Sequence, residues 1–577
     1  MNYSSKSRRN TRAILAAVVA SALAASTLTG TASAARTVSA GPKSGGTLTV
    51  GIPSNFFGFC FTTTALVGPP LGAISSVIEP LFTKTPAGDA VGYLAKSATP
   101  SADLKTWTVE LRPGITYSNG QAFNADSVIE NMDYARGAKF LTGGNSMLWT
   151  LSIGIAASAN ILSMTKVSDT TVQFNLFRAQ NDLPLSLTYA YMRASASLAS
   201  ATACVNNPIG TGAFTVDRWN AGELDVSRNP NYWRTDPNRP TAKLPYLDAI
   251  QFIAVTEGSQ RAAAVRKGTI DAALMTGASD ATFVKDLRQR KSTVSVIDAP
   301  IHYYLSAWLN QGNGGPFSDI NARQAVVHCI DRVGYRKVRL KGTGEAATSL
   351  TGSQNIMFNK TNFPEYNVES AKTYVSAYLA ANPSKTKLEF SVPFDPSTQA
   401  QANASYLKST FEKCGITMNI VSEQASVWAA KAFNAVTGKN AYDMLVTSLI
   451  TETDASINFP FFVTNAFPTD STNPLKLFRA TVGAVLGANH HTDTALDDLA
   501  WKARSTTTAA DTKTAYQNLT AELQNKAIMT TIVNYGFTMV TNKKAKVGGI
   551  GSLQFEKGIK VRPVTAQGAD WAGIYKG

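Results

Sequence analysis

Alternating hydrophobic and polar residues predict short strands along much of the chain. Residues 45–53 place Leu48, Val50 and Ile52 on one face, and the same period of two recurs at residues 103–114 and 171–176. Val, Ile, Thr and aromatic residues favour extended backbone, and Pro-Gly or Asn-Gly pairs stop it. These segments are therefore predicted to be half-buried strands.

Helical and extended patterns alternate in the second half of the chain. A helix is predicted over residues 369–381, a strand over 387–392, a helix over 399–413 and a strand over 416–421. Gly415 is placed to end the second of these helices. Strands that alternate with helices in this way indicate an α/β lobe.

A hairpin flanked by turns is predicted over residues 206–234. Gly210 and Gly212 allow sharp turns, two short alternating strands follow, and Asn229 with Pro230 ends the unit. The order Gly-Thr-Gly, Trp-x-x-Gly, Asn-Pro-x-Tyr-Trp in this hairpin resembles the signature of the family 5 extracellular solute-binding proteins. That family is the peptide and nickel class serving ATP-binding-cassette importers.

Two further blocks carry the same resemblance. Residues 111–128 resemble the family's block of leucine-arginine, glycine, asparagine-glycine, phenylalanine and alanine-aspartate-valine. The other block matches a helix end of the family at Arg323, at Ala325 and at the run 330–332, Ile-Asp-Arg. The resemblance covers roughly residues 45–547.

The resemblance implies a two-lobed α/β fold of the periplasmic-binding-protein type, class II with mixed sheets, and a small α/β subdomain in the first lobe. The expected division is a signal peptide at 1–34, a first lobe from 45–75, 206–300 and 532–577, a small subdomain at 76–205, and a second lobe at 301–531. Chain crossings between the lobes are expected at 300–304 and 528–540.

The first 34 residues are typical of a secretory signal peptide. A basic head precedes an apolar run at 13–28 and the small-residue site Ala-Ser-Ala at 32–34. Arg8-Arg9 raises the twin-arginine route as an alternative to general secretion. No cysteine lies near the cleavage site, so an extracytoplasmic product without a lipid anchor is expected.

The charge of the chain is spread over its length. Loss of the signal peptide removes four basic and no acidic residues, which lowers the formal net charge from +15 to +11. The longest basic clusters, at 288–291 and 543–546, are short and lack interleaved aromatic residues, so nucleic-acid binding is not expected. A monomer is expected.

Four cysteines in an exported chain predict disulfides. Of three possible pairings, Cys60 with Cys204 and Cys329 with Cys414 are favoured because each pair then stays inside one lobe. Four buried free thiols are the alternative.

The sequence contains no motif of a nucleophile elbow, a zinc protease or a phosphate loop, so catalysis and a cofactor are not expected. His490 and His491 offer a metal-chelating pair, although an exposed polar pair is favoured. Glu452 and Asp454 offer two carboxylates, but a glycosidase needs a spatial pairing that sequence alone does not show.

A cleft between two lobes would present aromatic and polar residues at strand ends to a ligand. The candidates are Asn55, Phe56, Trp149, Tyr303, Tyr304, Trp428 and Tyr535, with Glu452 and Asp454 as acidic groups. Each aromatic residue is also a plausible core residue.

The resemblance implies that peptide-binding relatives carry a tryptophan and two aspartates in the region of 447–462, the first aspartate pairing with the ligand's amino group. Here Leu449 replaces the tryptophan and Thr451 the first aspartate, while Asp454 remains. Glu452 is a possible substitute. The expected function is capture of a peptide-like solute for a membrane permease. An oligosaccharide or a nickel or other metal complex is the alternative ligand. A secreted hydrolase is the alternative function.

Overall fold

The first predicted strand forms the centre of a seven-stranded mixed sheet in a computed structural model of the chain. Thr47–Ile52 pairs in parallel with Ala249–Ala254 on one side and Ala272–Thr276 on the other. The strand order is Phe214–Asn220, Glu223–Arg228, Ala249–Ala254, Thr47–Ile52, Ala272–Thr276, Phe537–Asn542 and Val294–Asp298. Helices Gly258–Lys267 and Ala281–Gln289 pack their apolar sides on one face of this first sheet.

The structure describes residues 42–56, 58–59, 69–136, 160–277, 279–299, 303–312, 314–432, 440–450, 455, 462–463, 489–551, 554–556, 558–560 and 570–577. The predicted signal peptide lies outside them. Within these ranges, none of the helices combines the length and hydrophobicity that a membrane span requires.

A small subdomain inserted in the first lobe has its own sheet and core. The antiparallel strands lie in the order Ala95–Pro100, Thr106–Leu111, Thr171–Leu176 and Ile161–Ser168. Helix Ala125–Arg136 packs against this sheet, and the Asn124 side chain accepts a hydrogen bond from the Ser127 amide at 3.0 Å. This is the capped helix that the sequence predicts.

The second lobe is built on a four-stranded sheet in the order Glu345–Ala346, Met529–Tyr535, Tyr303–Leu309 and Met444–Ile450. A parallel pair, Leu388–Phe394 with Ile416–Ser422, lies beside it. Its helices are Ile320–Cys329, Arg332–Arg339, Val368–Ala381, Thr398–Lys413, Ala425–Ala432, Thr494–Arg504 and Ala509–Asn525. The predicted two-lobed α/β class is confirmed.

The structure places one domain boundary a few residues later than the sequence analysis expected. Strand Met529–Tyr535 belongs entirely to the second sheet, and Phe537–Asn542 belongs to the first, so the chain passes between the sheets at Gly536. The expected boundary between 531 and 532 falls inside a strand. The run 528–540 lacks proline and is mostly apolar, and its one glycine, Gly536, marks the passage that the expected boundary missed.

The signature residues of the predicted hairpin surround a buried carboxylate. Glu79 is 2% exposed and accepts hydrogen bonds from the Tyr232 hydroxyl at 2.7 Å, the Thr211 hydroxyl and the Trp233 indole at 2.8 Å, and the Tyr93 hydroxyl at 3.0 Å. Burial raises the pKa of Glu79, and the bonds from Trp233 and Tyr232 oppose that rise. The glycines, aromatics and threonine of the signature therefore serve packing and turns.

Arg234 extends this network to the end of the chain. Its guanidinium, itself buried, forms an ion pair with Asp570 at 3.1 Å and donates to the Tyr93 hydroxyl at 2.9 Å. The hairpin, the subdomain and the C-terminal residues thus share one polar cluster, which we call the Glu79 network.

Cys329 and Cys414 form a disulfide that joins the ends of two second-lobe helices, as the sequence analysis favoured. Cys204 is also disulfide-bonded and fully buried. Cys60, its favoured partner, lies outside the described residues. The cysteines that the structure describes include no free thiol.

Replacing Cys329 and Cys414 together by serine should lower the free energy of unfolding by about 3–5 kcal/mol, because the bridge closes a long loop of the unfolded chain. Denaturant unfolding followed by circular dichroism measures the change. Treating the wild type with a reductant should cost at least as much, because it also opens the bridge at Cys204. Equal stability of the oxidised wild type and the double variant would contradict the assignment.

Glu79→Gln should change the pH dependence of stability. The folded state raises the pKa of Glu79 above its ordinary value of 4.5, so the folded state holds this proton to a higher pH than the unfolded chain does. The free energy of unfolding of wild type minus that of Glu79→Gln should therefore fall as the pH rises above 4.5. Urea unfolding at several pH values measures it. A difference that grows with pH would mean that the four hydrogen-bond donors lower the pKa of Glu79 more than burial raises it.

Candidate functional site

The two lobes are joined by an antiparallel ribbon of two chain segments. Val294–Asp298 pairs with Phe537–Asn542 in the first sheet, and the continuations of the same segments, Tyr303–Leu309 and Met529–Tyr535, pair in the second sheet. The Ala299 amide donates to the Phe537 carbonyl at 2.9 Å between the two ladders. This interlobe ribbon is where a two-lobed protein would bend.

Three aromatic rings pack where the ribbon passes between the sheets. Tyr303 stacks on Tyr535 with ring centroids 5.7 Å apart, and Phe537 meets Tyr303 edge-on at 4.7 Å. The Tyr535 hydroxyl and the Ser448 hydroxyl lie 2.6 Å apart in a hydrogen bond. Desolvation raises the pKa of Tyr535 to about 12, so the group is a neutral phenol at physiological pH. The rings brace the strands beside the bend.

Arg332, the last residue of the Ile-Asp-Arg signature, holds the second-lobe half of the ribbon. Its guanidinium donates to the Thr531 carbonyl at 2.9 Å, the Thr530 hydroxyl at 2.7 Å and the Pro364 carbonyl at 3.0 Å. Burial lowers the pKa of Arg332 to about 9. The charge is solvated by carbonyl and hydroxyl oxygens, which makes this signature residue a support for the ribbon.

A cavity of about 440 Å³ lies between the lobes beside the ribbon. Its walls include Gly277, Ala281 and Asp298 from the first lobe and Thr343, Gly344 and Tyr535 from the second. Its volume falls within the range of pockets that hold small ligands, roughly 300–1,000 Å³.

Two charged side chains lie on the wall of this cavity. Arg288 forms an ion pair with Asp298 at 2.5 Å, and the Thr538 hydroxyl donates to the same carboxylate at 2.9 Å. Both partners of the pair are about half exposed, so the pair adds little stability. The charges are therefore available to a polar solute at small energetic cost.

The structure brings two predicted ligand residues, Tyr303 and Tyr535, into contact at the ribbon. Asn55 is exposed after the first strand, whereas Phe56 is 3% exposed and belongs to the core of the first lobe. Trp428 is partly buried against the main core. The predicted Trp149, Glu452 and Asp454 lie outside the described residues.

The prediction that His490 and His491 form an exposed pair is wrong. His491 is 4% exposed and its Nε2 lies 3.0 Å from the Phe462 carbonyl oxygen, while His490 is half-buried. Desolvation lowers the pKa of both rings. The described residues contain no group of three or more side chains suited to a metal ion.

Sequence reasoning missed the cavity residues Thr343 and Gly344. The one local signal is conformational: Gly344 has a φ of 65°, a left-handed backbone that favours glycine. The sequence shows the turn but gives no sign of the opposite lobe that it approaches.

Comparison with known proteins adds a family and a fold. Residues 89–469 match the family model of the bacterial extracellular solute-binding proteins, family 5. The nickel-binding periplasmic protein of Escherichia coli is 27% identical over 288 residues, which cover 48% of this chain and 51% of that relative. The glutathione-binding protein GsiB of Shigella flexneri is 28% identical over 264 residues, 44% of this chain and 46% of the relative.

The chain spans about half the length of these curated relatives in the matched regions. A solved structure of a dipeptide-binding protein from a Pseudoalteromonas species, in complex with Met-Leu, shares the fold with a TM-score of 0.72. The match covers 92% of this chain and 100% of the other at 18% sequence identity.

Tyr535→Phe should lower the free energy of unfolding by about 1 kcal/mol, since the part-buried hydrogen bond to the Ser448 hydroxyl is lost. Ser448→Ala should cost a similar amount. In the double variant the losses should not add, because both single changes remove the same bond. Urea unfolding of the four proteins measures this cycle, and full additivity would contradict the bond.

Proposed function

The chain belongs to the bacterial extracellular solute-binding proteins, family 5, and from that premise we propose that it is the recognition subunit of an ATP-binding-cassette importer. In this proposal it captures a peptide-like solute between its lobes outside the cytoplasm and presents the closed form to a membrane permease. It binds its solute without chemical change.

The observation that carries this proposal is the interlobe ribbon. Two paired segments connect the two sheets, so a rotation of one lobe relative to the other would bend this connection. A solute that contacts both lobes favours the closed arrangement by the difference between its affinities for the closed and open states. The volume of the cavity beside the ribbon suits a small solute.

A peptide-like solute is the leading candidate because two relatives carry peptide names. The curated GsiB proteins are named for glutathione, a tripeptide, and the structural neighbour holds Met-Leu. A nickel or other metal complex is the second candidate, supported by the nickel-binding relative. The predicted ligand roles of Trp428, Glu452 and Asp454 remain part of this proposal.

A thermal-shift screen of the purified exported protein should show stabilisation by one ligand class. Its arms are Met-Leu, glutathione, their N-acetylated forms, maltotriose, Ni²⁺ and a nickel–histidine complex. A ligand at 100 times its Kd stabilises by about 2.7 kcal/mol. Small-angle scattering should show a smaller radius of gyration with the same ligand, because the lobes close.

The arms separate the candidates. Stabilisation by nickel species alone would select the second candidate, and stabilisation by maltotriose alone would select an oligosaccharide. Stabilisation by none, combined with cleavage of a peptide or sugar detected by mass spectrometry, would overturn the binding proposal in favour of a hydrolase.

A further inference from the structure

A contact other than the ribbon joins the small subdomain to the second lobe. It lies just after the subdomain strand Thr171–Leu176, where residues 178–182 meet the end of helix Thr494–Arg504 and the loop that follows it. There the guanidinium carbon of Arg178 lies 4.8 Å from the centre of the Trp501 ring. Neither segment belongs to the ribbon. We call this contact the subdomain latch.

Asn181 supplies the hydrogen bonds of the latch. Its backbone amide donates to the Arg504 carbonyl at 2.8 Å, and its side-chain Nδ2 donates to the Ala503 carbonyl at 3.1 Å and to the Thr506 carbonyl at 2.9 Å. The last four carbonyls of a helix have no backbone partner inside that helix. Two of the carbonyls that end helix Thr494–Arg504 are therefore bonded by a residue of the small subdomain.

Asp182 and Arg504 add a buried ion pair to the latch. Arg504 Nε donates to one carboxylate oxygen at 3.3 Å, and Nη2 lies 3.2 Å from the other. The Arg504 side chain is 0% exposed and that of Asp182 is 10% exposed. The Gln180 side-chain amide also donates to Asp182, at 2.7 Å, and the Trp107 indole donates to the Gln180 carbonyl at 3.0 Å. The carboxylate is therefore oriented by groups of its own subdomain.

The two sides of the latch are attached to different lobes. The Glu79 network ties the subdomain to the hairpin of the first lobe. Helix Ala509–Asn525, which follows the other side of the latch, is bonded to the second lobe, where the Gln517 side chain donates to the Phe358 carbonyl at 3.0 Å. A rotation of the lobes about the ribbon would therefore move one side of the latch relative to the other.

The chemistry of the latch fits a contact that opens and closes. The cost of taking two charges out of water largely cancels their attraction in the interior, so a buried pair adds little net stability relative to a state in which both charges regain water. The amide of Asn181 likewise exchanges bonds to carbonyls for bonds to water. Removal of one partner is different, because the other charge is then buried without a counter-charge whenever the two sides meet.

We propose that the subdomain latch is a closure device, which forms when the lobes close on the solute and breaks when they open. This inference rests on the proposed function and deepens it, since it names residues that set the balance between the closed and open states. When a solute needs the closed state, its apparent affinity is reduced by the fraction of molecules that can adopt that state. The latch residues therefore act on affinity through closure and not through contact with the solute.

The variants Asp182→Asn and Arg504→Gln, and the two changes combined, test the ion pair. Each single change should weaken the affinity for Met-Leu or glutathione about tenfold, because the remaining charge is buried alone in the closed state. The double variant should lose no more affinity than either single variant, since both changes remove the same pair. Isothermal titration calorimetry measures the affinities against wild type. Losses that add in full would contradict a role for the pair.

Asn181→Ala tests the bonds to the helix end. The change should weaken affinity about tenfold. It should also raise the radius of gyration of the ligand-free protein in small-angle scattering, because the open state gains population. Asn175→Ala is the matched control: Asn175 is also part-buried, but its side chain donates to the Ser163 hydroxyl at 3.0 Å inside the subdomain sheet. The control should lower Tm and leave the affinity and the radius unchanged.

The outcomes separate the latch from the proposed function. If wild type binds a peptide and the latch variants bind it equally tightly with an unchanged radius, the latch is overturned and the binding function stands. Weaker affinity with an unchanged ligand-free radius would mean that these residues act on the solute directly, which also refutes a closure device. A larger radius with unchanged affinity would show that the solute binds without closure, against the proposal.

The scattering measurement decides even if wild type binds none of the solutes. A larger radius of Asn181→Ala and Arg504→Gln than of wild type and of Asn175→Ala would then support the latch while the proposed function falls. Equal radii would overturn both.

Discussion

The backbone hydrogen bonds of the interlobe ribbon are the constraint on which the rest of the structure depends. The same two chain segments pair with each other in both sheets, so the connection is itself secondary structure. Its stiffness limits how the lobes move relative to each other. Longer ladders lie on either side of Gly536 and Ala299, so we expect the ribbon to bend there. Arg332 and the stacked tyrosines reinforce the second-lobe half of the ribbon.

Polar groups in this protein are handled in two different ways. In the Glu79 network a buried carboxylate receives four donors, and a buried arginine has its own carboxylate, so the charges are compensated inside the fold. Beside the bend, Tyr304 and Asn534 bury polar atoms without compensation. The first arrangement fixes one structure. The second carries the desolvation cost of two polar atoms that have no partner among the described residues.

Local patterns predicted much of the fold because they act over a few residues. The alternation at residues 45–53, the cap at Asn124 and the run 528–540 all correspond to observed elements. The family signatures identified the hairpin, but its partner Glu79 lies far away in sequence, so the network that explains the signature needed the fold.

The surroundings of the candidate site residues were less predictable for the same reason. His490 and His491 sit in a polar stretch that resembles a surface loop, and only tertiary packing shows that they are covered. Asn534 lies in register between Tyr304 and Glu345, and no local pattern of the strand Met529–Tyr535 shows this. Register across three strands distant in sequence is set by the whole sheet.

The position of the last strand of the first sheet has a consequence for the order of folding during export. The described second sheet is assembled from one continuous stretch, from Tyr303 to Tyr535, whereas the first sheet combines Thr47–Ile52 with Phe537–Asn542. If the chain crosses the membrane unfolded by the general secretory route, its N-terminal strands emerge first, and both sheets stay incomplete until residues 529–542 follow. Until then Ala272–Thr276 lacks one neighbour in the first sheet and Val294–Asp298 lacks its only one. Extracytoplasmic chaperones would therefore meet this protein mainly through its earliest-emerging segments.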